Sequence, residues 1–197
     1  RMQRDALVRV QATGSYGSVF SVGEDGVCEV GLIDPVADDY SLKLPQLTLE
    51  ELPWPPAGAE AALIERLALF HLRVRRGMDV DHAFEAYLGR NEGGDLELWF
   101  APGASRAERC VTLDERGEGL VREALVGLRL DAWRSGGGAT PSLGSWSWSA
   151  EVIGDGMGMA GYGRAVAAKG LAGVVAALAR LGLPVECAPG DGPRTCL

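Results

Sequence analysis

The sequence predicts an α+β fold in which a mostly antiparallel sheet has helices packed on one face. Three observations lead to this prediction: the first third of the chain consists of short apolar segments joined by tight turns, helical periodicity appears only later, and the helices do not alternate regularly with strands. The 197 residues are 47% apolar, which suits one globular domain over residues 1–197. Within it, residues 1–52 are expected to be β-rich and residues 53–197 to mix helices with hairpins.

The first third of the chain is expected to form strands over residues 7–12, 18–22, 27–33 and 40–44. Asp25 and Gly26 predict a hairpin between the second and third of these strands, because glycine accepts positive φ without a steric penalty. Thr48 and Glu51 have the spacing of a capping box, which predicts the start of a helix. The prolines that follow limit this helix to about one turn.

The strongest helix prediction covers residues 60–76. Leu63, Leu67, Phe70 and Val74 recur at spacings of four, three and four, which produces one apolar stripe on a helix. Further helices are expected over residues 80–88, 119–133 and 164–181.

Further strands are expected over residues 96–100, 109–113, 146–152 and 183–187, the first two as an antiparallel pair. Trp146 and Trp148 alternate with serines in the third of these strands, which favours a half-buried strand with both rings in the core. Residues 135–145 are expected to form a flexible loop because of their glycine and serine content. The glycine-rich segment Gly154–Gly163 is expected to be a turn before the last long helix.

Within that turn, Gly156, Gly158 and Gly161 match the pattern G-x-G-x-x-G. Between a strand and a helix, this pattern lets bare backbone approach a diphosphate at the positive end of the helix, and Glu186 would then contact a ribose hydroxyl. The competing interpretation is a tight turn with close helix–sheet packing, since a chain with 28 glycines produces such matches readily. We therefore expect no bound cofactor and keep a small nucleotide- or phosphate-binding enzyme as the alternative function.

The formal net charge of −8 disfavours nucleic acid as a partner, because an acidic surface repels phosphate. The charge is uneven: residues 1–52 carry nine acidic and four basic side chains, and residues 92–133 carry nine and five. The dense basic run of Arg73, Arg75 and Arg76 is interpreted as the end of a helix, where cations complement the helix dipole. No apolar run is long enough to predict a membrane span.

No group of residues in the sequence forms a convincing catalytic or metal-binding set. Asp79, Asp81 and His82 could ligate a divalent ion, but helix capping by aspartate explains them more simply. His71 lies beside the predicted apolar stripe and is interpreted as a partly buried packing residue. Cys110 could pair with His82 as a nucleophile, but nothing local marks its thiol as activated.

The four cysteines show neither a Cys-x-x-Cys pair nor a zinc spacing, and no signal peptide is evident. These observations predict a cytoplasmic protein with reduced thiols. Whether Cys187 and Cys196 form a disulfide across the loop between them stays open.

The sequence is best interpreted as a non-catalytic, acidic protein-binding module that inhibits, neutralises or chaperones a partner with a basic surface. Immunity proteins against bacterial toxins and secretion chaperones have this general size and charge. This is an analogy between classes of protein and not a resemblance in sequence. Trp54 lies among three prolines and is difficult to bury, so it is the candidate aromatic contact. The candidate partner-binding residues are Trp54, Glu24, Asp25, Asp38, Asp39, Glu92 and Asp95.

Overall fold

Two large antiparallel sheets, a two-stranded sheet and three helices make up most of the described part of the chain. In the computed structural model, the residues described are 2–37, 41–76, 79–103, 105–130, 146–164, 170–188 and 192–195. The strands are β1 Leu7–Val10, β2 Tyr16–Val22, β3 Val27–Leu32, β4 Ser41–Pro45, β5 Leu49–Glu51, β6 Leu67–Arg76, β7 Asp79–Arg90, β8 Leu96–Pro102, β9 Glu108–Thr112, β10 Trp146–Gly154, β11 Met157–Arg164, β12 Val185–Ala188 and β13 Gly192–Thr195. The helices are α1 Glu60–Glu65, α2 Glu115–Gly127 and α3 Leu171–Arg180, with a 3₁₀ turn at Gln46–Thr48.

The first sheet has the strand order β4-β3-β2-β1-β5, and every neighbouring pair is antiparallel. Its two edge strands are consecutive in the chain, joined only by the 3₁₀ turn. In a flat sheet, four strand spacings would separate these edges by about 19 Å. The four residue steps from Pro45 to Leu49 span at most about 14 Å, and less through a 3₁₀ turn. The sheet must therefore curl strongly, and we call it the barrel.

The barrel encloses its own apolar cluster. Alternate residues of its strands are buried there, including Val8, Val10, Val19, Cys28 and Val30. A strand places alternate side chains on opposite faces, so these buried residues all lie on one face of the sheet, and that face is the inside of the barrel. This explains why residues 7–33 read so clearly as strands in the sequence.

The second and larger sheet has the order β11-β10-β6-β7-β8-β9, again with only antiparallel pairs. One face of it, here called the core face, carries Phe70, Leu72, Val74, Phe84 and Leu88. Buried residues of all three helices belong to the same cluster: Leu63, Ile64, Val121, Leu125, Leu171, Val174, Val175 and Leu178. The α+β class is therefore confirmed. The finer expectation that the helices pack on one face stays a prediction.

The opposite face of the large sheet, here called the barrel-side face, contacts the barrel. A separate cluster joins the two units and is called the junction; it consists of Leu7, Ile33, Leu52, Leu69 and Ile153 with the partly buried Tyr16, Tyr87 and Ala160. The amide of Gly158 in β11 donates a hydrogen bond to the carbonyl of Pro53 at 3.1 Å. The barrel is thus held against β11, β10 and β6.

The predicted helix over residues 60–76 is wrong beyond its first turns. Helix α1 ends at Glu65, and β6 follows as a central strand of the large sheet. Phe70, Leu72 and Val74 lie on the core face, while His71 and Arg73 alternate with them. The arginines of this segment accordingly belong to a strand and not to the end of a helix. The predicted helix over 80–88 is also wrong, because β7 occupies that segment.

Other boundaries differ for local reasons. Thr48 donates its hydroxyl to the carbonyl of Pro45 at 2.8 Å within the 3₁₀ turn, so the predicted capping-box helix is wrong. Helix α2 begins earlier than expected because Asp114 caps it, accepting from the amide of Gly117 at 2.8 Å. Helix α3 is shorter than the predicted 164–181. Residues 131–145, which include the expected flexible loop, lie outside the described part of the chain.

The strands expected over 7–12, 18–22, 27–33, 96–100, 109–113, 146–152 and 183–187 are confirmed, with shifts of a residue or two at some ends. The hairpin at Asp25 and Gly26 is also confirmed, and Gly26 has the positive φ of +78° that the prediction required. Trp148 is buried in the core as expected. Among the described residues, no helix combines the length and apolar character needed to cross a membrane.

The contact between β10 and the end of α1 depends on a missing side chain at Gly154. A Cβ there would lie 2.2 Å from the carbonyl oxygen of Leu63 and 2.7 Å from that of Arg66. Because both atoms are backbone, the clash cannot be relieved by a rotamer change.

We predict that Gly154→Ala lowers the free energy of unfolding by about 3 kcal/mol in urea denaturation. Gly119→Ala is the control: it meets open space within α2 and should raise stability by roughly 0.5 to 1 kcal/mol. Equal stability of the two variants would contradict the packing described here.

Candidate functional site

A group of charged and polar side chains lies on the barrel-side face at the centre of the large sheet. The strand register places Glu151 of β10 opposite His71 of β6, and His71 opposite Tyr87 of β7. Two residues further along, Arg73 lies opposite Glu85. The period-2 alternation of three adjacent strands therefore brings these five residues together, and we call them the histidine centre.

The histidine centre is connected by short hydrogen bonds. His71 donates through Nδ1 to Oε2 of Glu151 at 2.8 Å and through Nε2 to Oε2 of Glu85 at 3.0 Å. Arg73 donates through Nε to Oε1 of Glu85 at 2.8 Å, and the hydroxyl of Tyr87 donates to Oε2 at 2.5 Å. The ring of Tyr87 stacks on the imidazole with a centroid distance of 4.4 Å.

His71 can donate to both carboxylates only when its imidazole is positively charged. A neutral imidazole has one N–H and one lone pair, so it can donate to only one of two flanking carboxylates. Burial alone would lower the pKa of His71, but the hydrogen bonds to Glu151 and Glu85 and their negative charges raise it above the ordinary 6.5. His71 accordingly keeps its proton to a higher pH than an exposed imidazole does.

Glu85 is the most heavily hydrogen-bonded member of the centre. Burial by itself would raise the pKa of Glu85, but the donors His71, Arg73 and Tyr87 and the charge of Arg73 hold it far below its usual value. With His71 protonated, two carboxylates and two cations make the centre neutral as a whole. Such pairing is what permits charged groups to occupy a largely desolvated position.

This arrangement positions groups but does not leave a base available. His71 is only 4% exposed, and both of its nitrogens are occupied by carboxylates. A substrate would have to displace a charge-assisted hydrogen bond to reach the imidazole. The histidine centre therefore has a structural role: it joins three strands and orients Tyr87.

A cleft of about 290 Å³ lies next to the histidine centre, between the barrel and the large sheet. From the barrel it is lined by residues 13–16 and 33–36, and from the large sheet by Ala68, Leu69, Gly89, Arg90, Glu97 and Trp99. Trp99 lies directly opposite Tyr87 in the register of β8 and β7, so the cleft wall and the histidine centre are neighbours on one sheet face.

The charged residues of the cleft differ in how they are engaged. Arg90 donates to the carbonyls of Leu67 and Gly94 and pairs with Glu118, while Glu97 pairs with Arg109 at 3.1 Å. Asp34 accepts only the amide of Val36, at 2.9 Å, and forms no ion pair with any described residue. It leaves one acidic group available on a wall that also contains Tyr16 and Pro35.

The predicted partner-binding residues that the structure describes lie in three separate connections of the chain. Trp54 is 39% exposed, as expected. Glu24 and Asp25 are exposed in the β2–β3 turn, at the end of β2 opposite Tyr16, which is about 20 Å from the cleft by strand length. Glu92 and Asp95 are exposed in the β7–β8 turn, beginning two residues beyond the cleft residue Arg90. Asp38 and Asp39 lie outside the described residues.

The glycine motif is not a nucleotide loop. Asp155 and Gly156 form the turn of a β10–β11 hairpin with φ of +53° and +72°, and β11 runs from Met157. Gly158 is buried against Leu7, and its amide is used by Pro53; Gly161 pairs with Ala150 inside the sheet. A nucleotide loop at Gly156, Gly158 and Gly161 would have to connect a strand to a helix, and here the segment connects two strands. The predicted strand-to-helix loop is therefore wrong.

The structure places the candidate histidines, aspartates and cysteines of the sequence analysis as follows: some predictions hold in part, and others are wrong. His71 is buried as expected, but its role as an ion-paired centre was missed. Asp79, Asp81 and His82 lie in β7 and not in a helix, so their interpretation as helix caps is wrong; their side chains are outside the described part. Cys28 and Cys110 are free, and burial together with Glu108 raises the pKa of the Cys110 thiol. Cys196 is outside the described residues, so its pairing with Cys187 stays open.

Within the described ranges, no group of three His, Cys, Asp or Glu side chains is arranged to hold a metal ion. Comparison with protein-family models, curated proteins and solved structures found no match to this chain. The function is therefore argued from the geometry of the centre and the cleft.

Removing the central carboxylate should be costly. We predict that Glu85→Ala lowers the free energy of unfolding by about 3 kcal/mol or more at pH 6, because His71 and Arg73 lose the acceptor they share. Glu50→Ala removes an exposed carboxylate 3.9 Å from Arg9 and should cost less than about 1 kcal/mol. Chemical denaturation of both variants measures the difference, and a mild effect of Glu85→Ala would contradict the proposed charge balance.

Proposed function

We propose that the protein is a non-catalytic binding module that holds an extended segment of a partner protein in the cleft between the barrel and the large sheet. The observation that carries the proposal is the cleft itself, where Tyr16, Val36 and Trp99 offer apolar contact area around the carboxylate of Asp34, the one unpaired acidic group among its described lining residues. Aromatic side chains give large contact area with little loss of rotamer entropy, and they dominate many interfaces.

The size of the cleft supports a peptide segment as its occupant. A volume of about 290 Å³ is at the small end of ligand pockets and suits a few side chains rather than a folded domain. Val36 at the cleft wall is 49% exposed, so an apolar surface continues towards solvent. A segment that inserts one or two apolar side chains and continues along the surface fits both facts.

The charge pattern favours a basic segment. Asp34 is available in the cleft, Glu92 and Asp95 follow its Arg90 wall, and the whole chain carries −8. Complementary charge speeds encounter and suppresses wrong partners more than it adds affinity. We therefore place the protein with acidic cytoplasmic modules that inhibit, neutralise or chaperone a partner with basic segments.

The first test distinguishes the cleft from the Trp54 surface. Selection from a displayed library of random twelve-residue peptides should enrich sequences with an aromatic or aliphatic residue next to Arg or Lys. Trp99→Ala and Val36→Ser should each weaken the selected peptides at least about tenfold, which corresponds to about 1.4 kcal/mol, and Trp54→Ala should not. Circular dichroism verifies that the variants are folded. Peptides that bind Trp99→Ala normally but lose affinity for Trp54→Ala would move the site to Trp54.

The second test concerns steering by charge. Glu92→Lys should lower the association rate of the selected basic peptide about threefold or more at low salt, because the charge lies beside the cleft. Glu24→Lys makes the same charge change on the distant turn and should have little effect. The effect of Glu92→Lys should vanish at 0.5 M salt, where the screening length is only a few ångströms. Stopped-flow fluorescence measures the rates, and identical effects of the two variants would contradict a cleft-directed approach.

A further inference from the structure

Tyr87 connects the histidine centre with the contact between the barrel and the large sheet. Its hydroxyl donates to Glu85 and its ring stacks on His71, while the same side chain packs in the junction. The junction residues Tyr16, Ile33 and Leu69 also line the cleft. The position of Tyr87 is therefore shared by three features: the charged centre, the junction and the cleft.

We propose that His71 is a proton-dependent clamp. In its charged form His71 fixes Tyr87 and closes the junction. The cleft therefore binds its peptide more tightly when His71 is protonated. The clamp rests on the geometry of the centre alone. Its effect on peptide binding rests, in addition, on the function proposed above.

The groups that face His71 determine which hydrogen bond is lost with the proton. Glu151 faces it from β10, Glu85 and Tyr87 from β7, and Arg73 follows it on β6. Glu85 keeps the charge of Arg73, whereas His71 is the one described hydrogen-bond partner of the Glu151 side chain. The remaining proton therefore stays on Nδ1, towards Glu151.

Deprotonation then leaves the lone pair of Nε2 facing Oε2 of Glu85. This is the same oxygen that accepts the hydroxyl of Tyr87. Two acceptors 3.0 Å apart repel each other, so either the imidazole or the carboxylate must shift. Either movement disturbs the stacked ring or the hydroxyl of Tyr87, and the disturbance reaches the junction.

The sign of the pH dependence follows from the charge. The pKa of His71 is raised in the folded protein, so its contribution is fully present below the ordinary value of 6.5 and is lost as pH rises through the folded pKa. If opening the junction frees the imidazole, each unit between the closed and open pKa corresponds to a tenfold change in the opening equilibrium. The clamp thus weakens on the alkaline side.

The amide of Gly158 reports on the junction without any ligand, because it donates across the contact to Pro53. The test uses the protein with His82→Gln, which leaves His71 as the single imidazole for NMR titration. We expect a His71 pKa above 6.5 and a protection factor at Gly158 that falls at least fivefold between pH 6 and pH 9. The amide of Val19, which donates to Ala6 inside the barrel, is the internal control and should not follow His71.

Two variants test the cause. His71→Gln, added to His82→Gln, should abolish the pH dependence of Gly158 protection and hold it at the low level. If that protein does not fold, Tyr87→Phe keeps the stacked ring without the hydroxyl and should reduce the pH dependence while His71 still titrates. A pKa of His71 below 6.5, or Gly158 protection that does not change with pH, overturns the clamp.

The selected peptide of the preceding subsection separates the two proposals. If its affinity falls in parallel with Gly158 protection, the clamp and its link to the cleft are both supported. If Gly158 protection titrates but no peptide binds at any pH, the clamp stands and the proposed function fails. If the peptide binds at the cleft with an affinity independent of pH, the link between His71 and the cleft is overturned.

Discussion

The imidazolium of His71 between two carboxylates is the interaction on which the centre of the structure depends. The large sheet is covered on its core face by apolar packing, and the barrel covers part of its other face. A charged side chain in the second layer loses most of its water, which is tolerable only if its charge is matched nearby. Glu85 and Glu151 supply that match from the two strands that flank β6.

The position of the barrel on the large sheet explains where the cleft lies. The barrel is anchored over β11, β10 and β6, through Gly158, Ile153 and Leu69. It leaves a space beside Gly89 of β7 and Trp99 of β8, and these residues line the cleft. A site between two units that are packed through only a small cluster is sensitive to how firmly that cluster is closed. The position of Tyr87 in the cluster is therefore more informative than its burial alone.

The barrel strands could be predicted from sequence because each has one buried face and short, glycine-marked turns. The strand within residues 60–76 could not, because its apolar spacing suits a helix as well as a strand. Leu63 lies in α1, whereas Phe70 and Val74 lie four residues apart on the core face of β6, a spacing that keeps two residues on the same side of either element. The partners of His71 were equally hidden: Glu85 is 14 residues away and Glu151 is 80 residues away. Only the strand register brings them together.

A buried group of charges is a poor source of stability, because apolar side chains of similar size often serve as well or better. Its physical advantage here is specificity of pairing. A slip of one residue between β10 and β6 would turn Glu151 to the core face, towards Phe70 and Leu72, and would turn Val152 away from it. That arrangement would bury a carboxylate without a donor and leave His71 with one acceptor. The histidine centre therefore selects one register for the three central strands, and with it the position of Tyr87 within the junction.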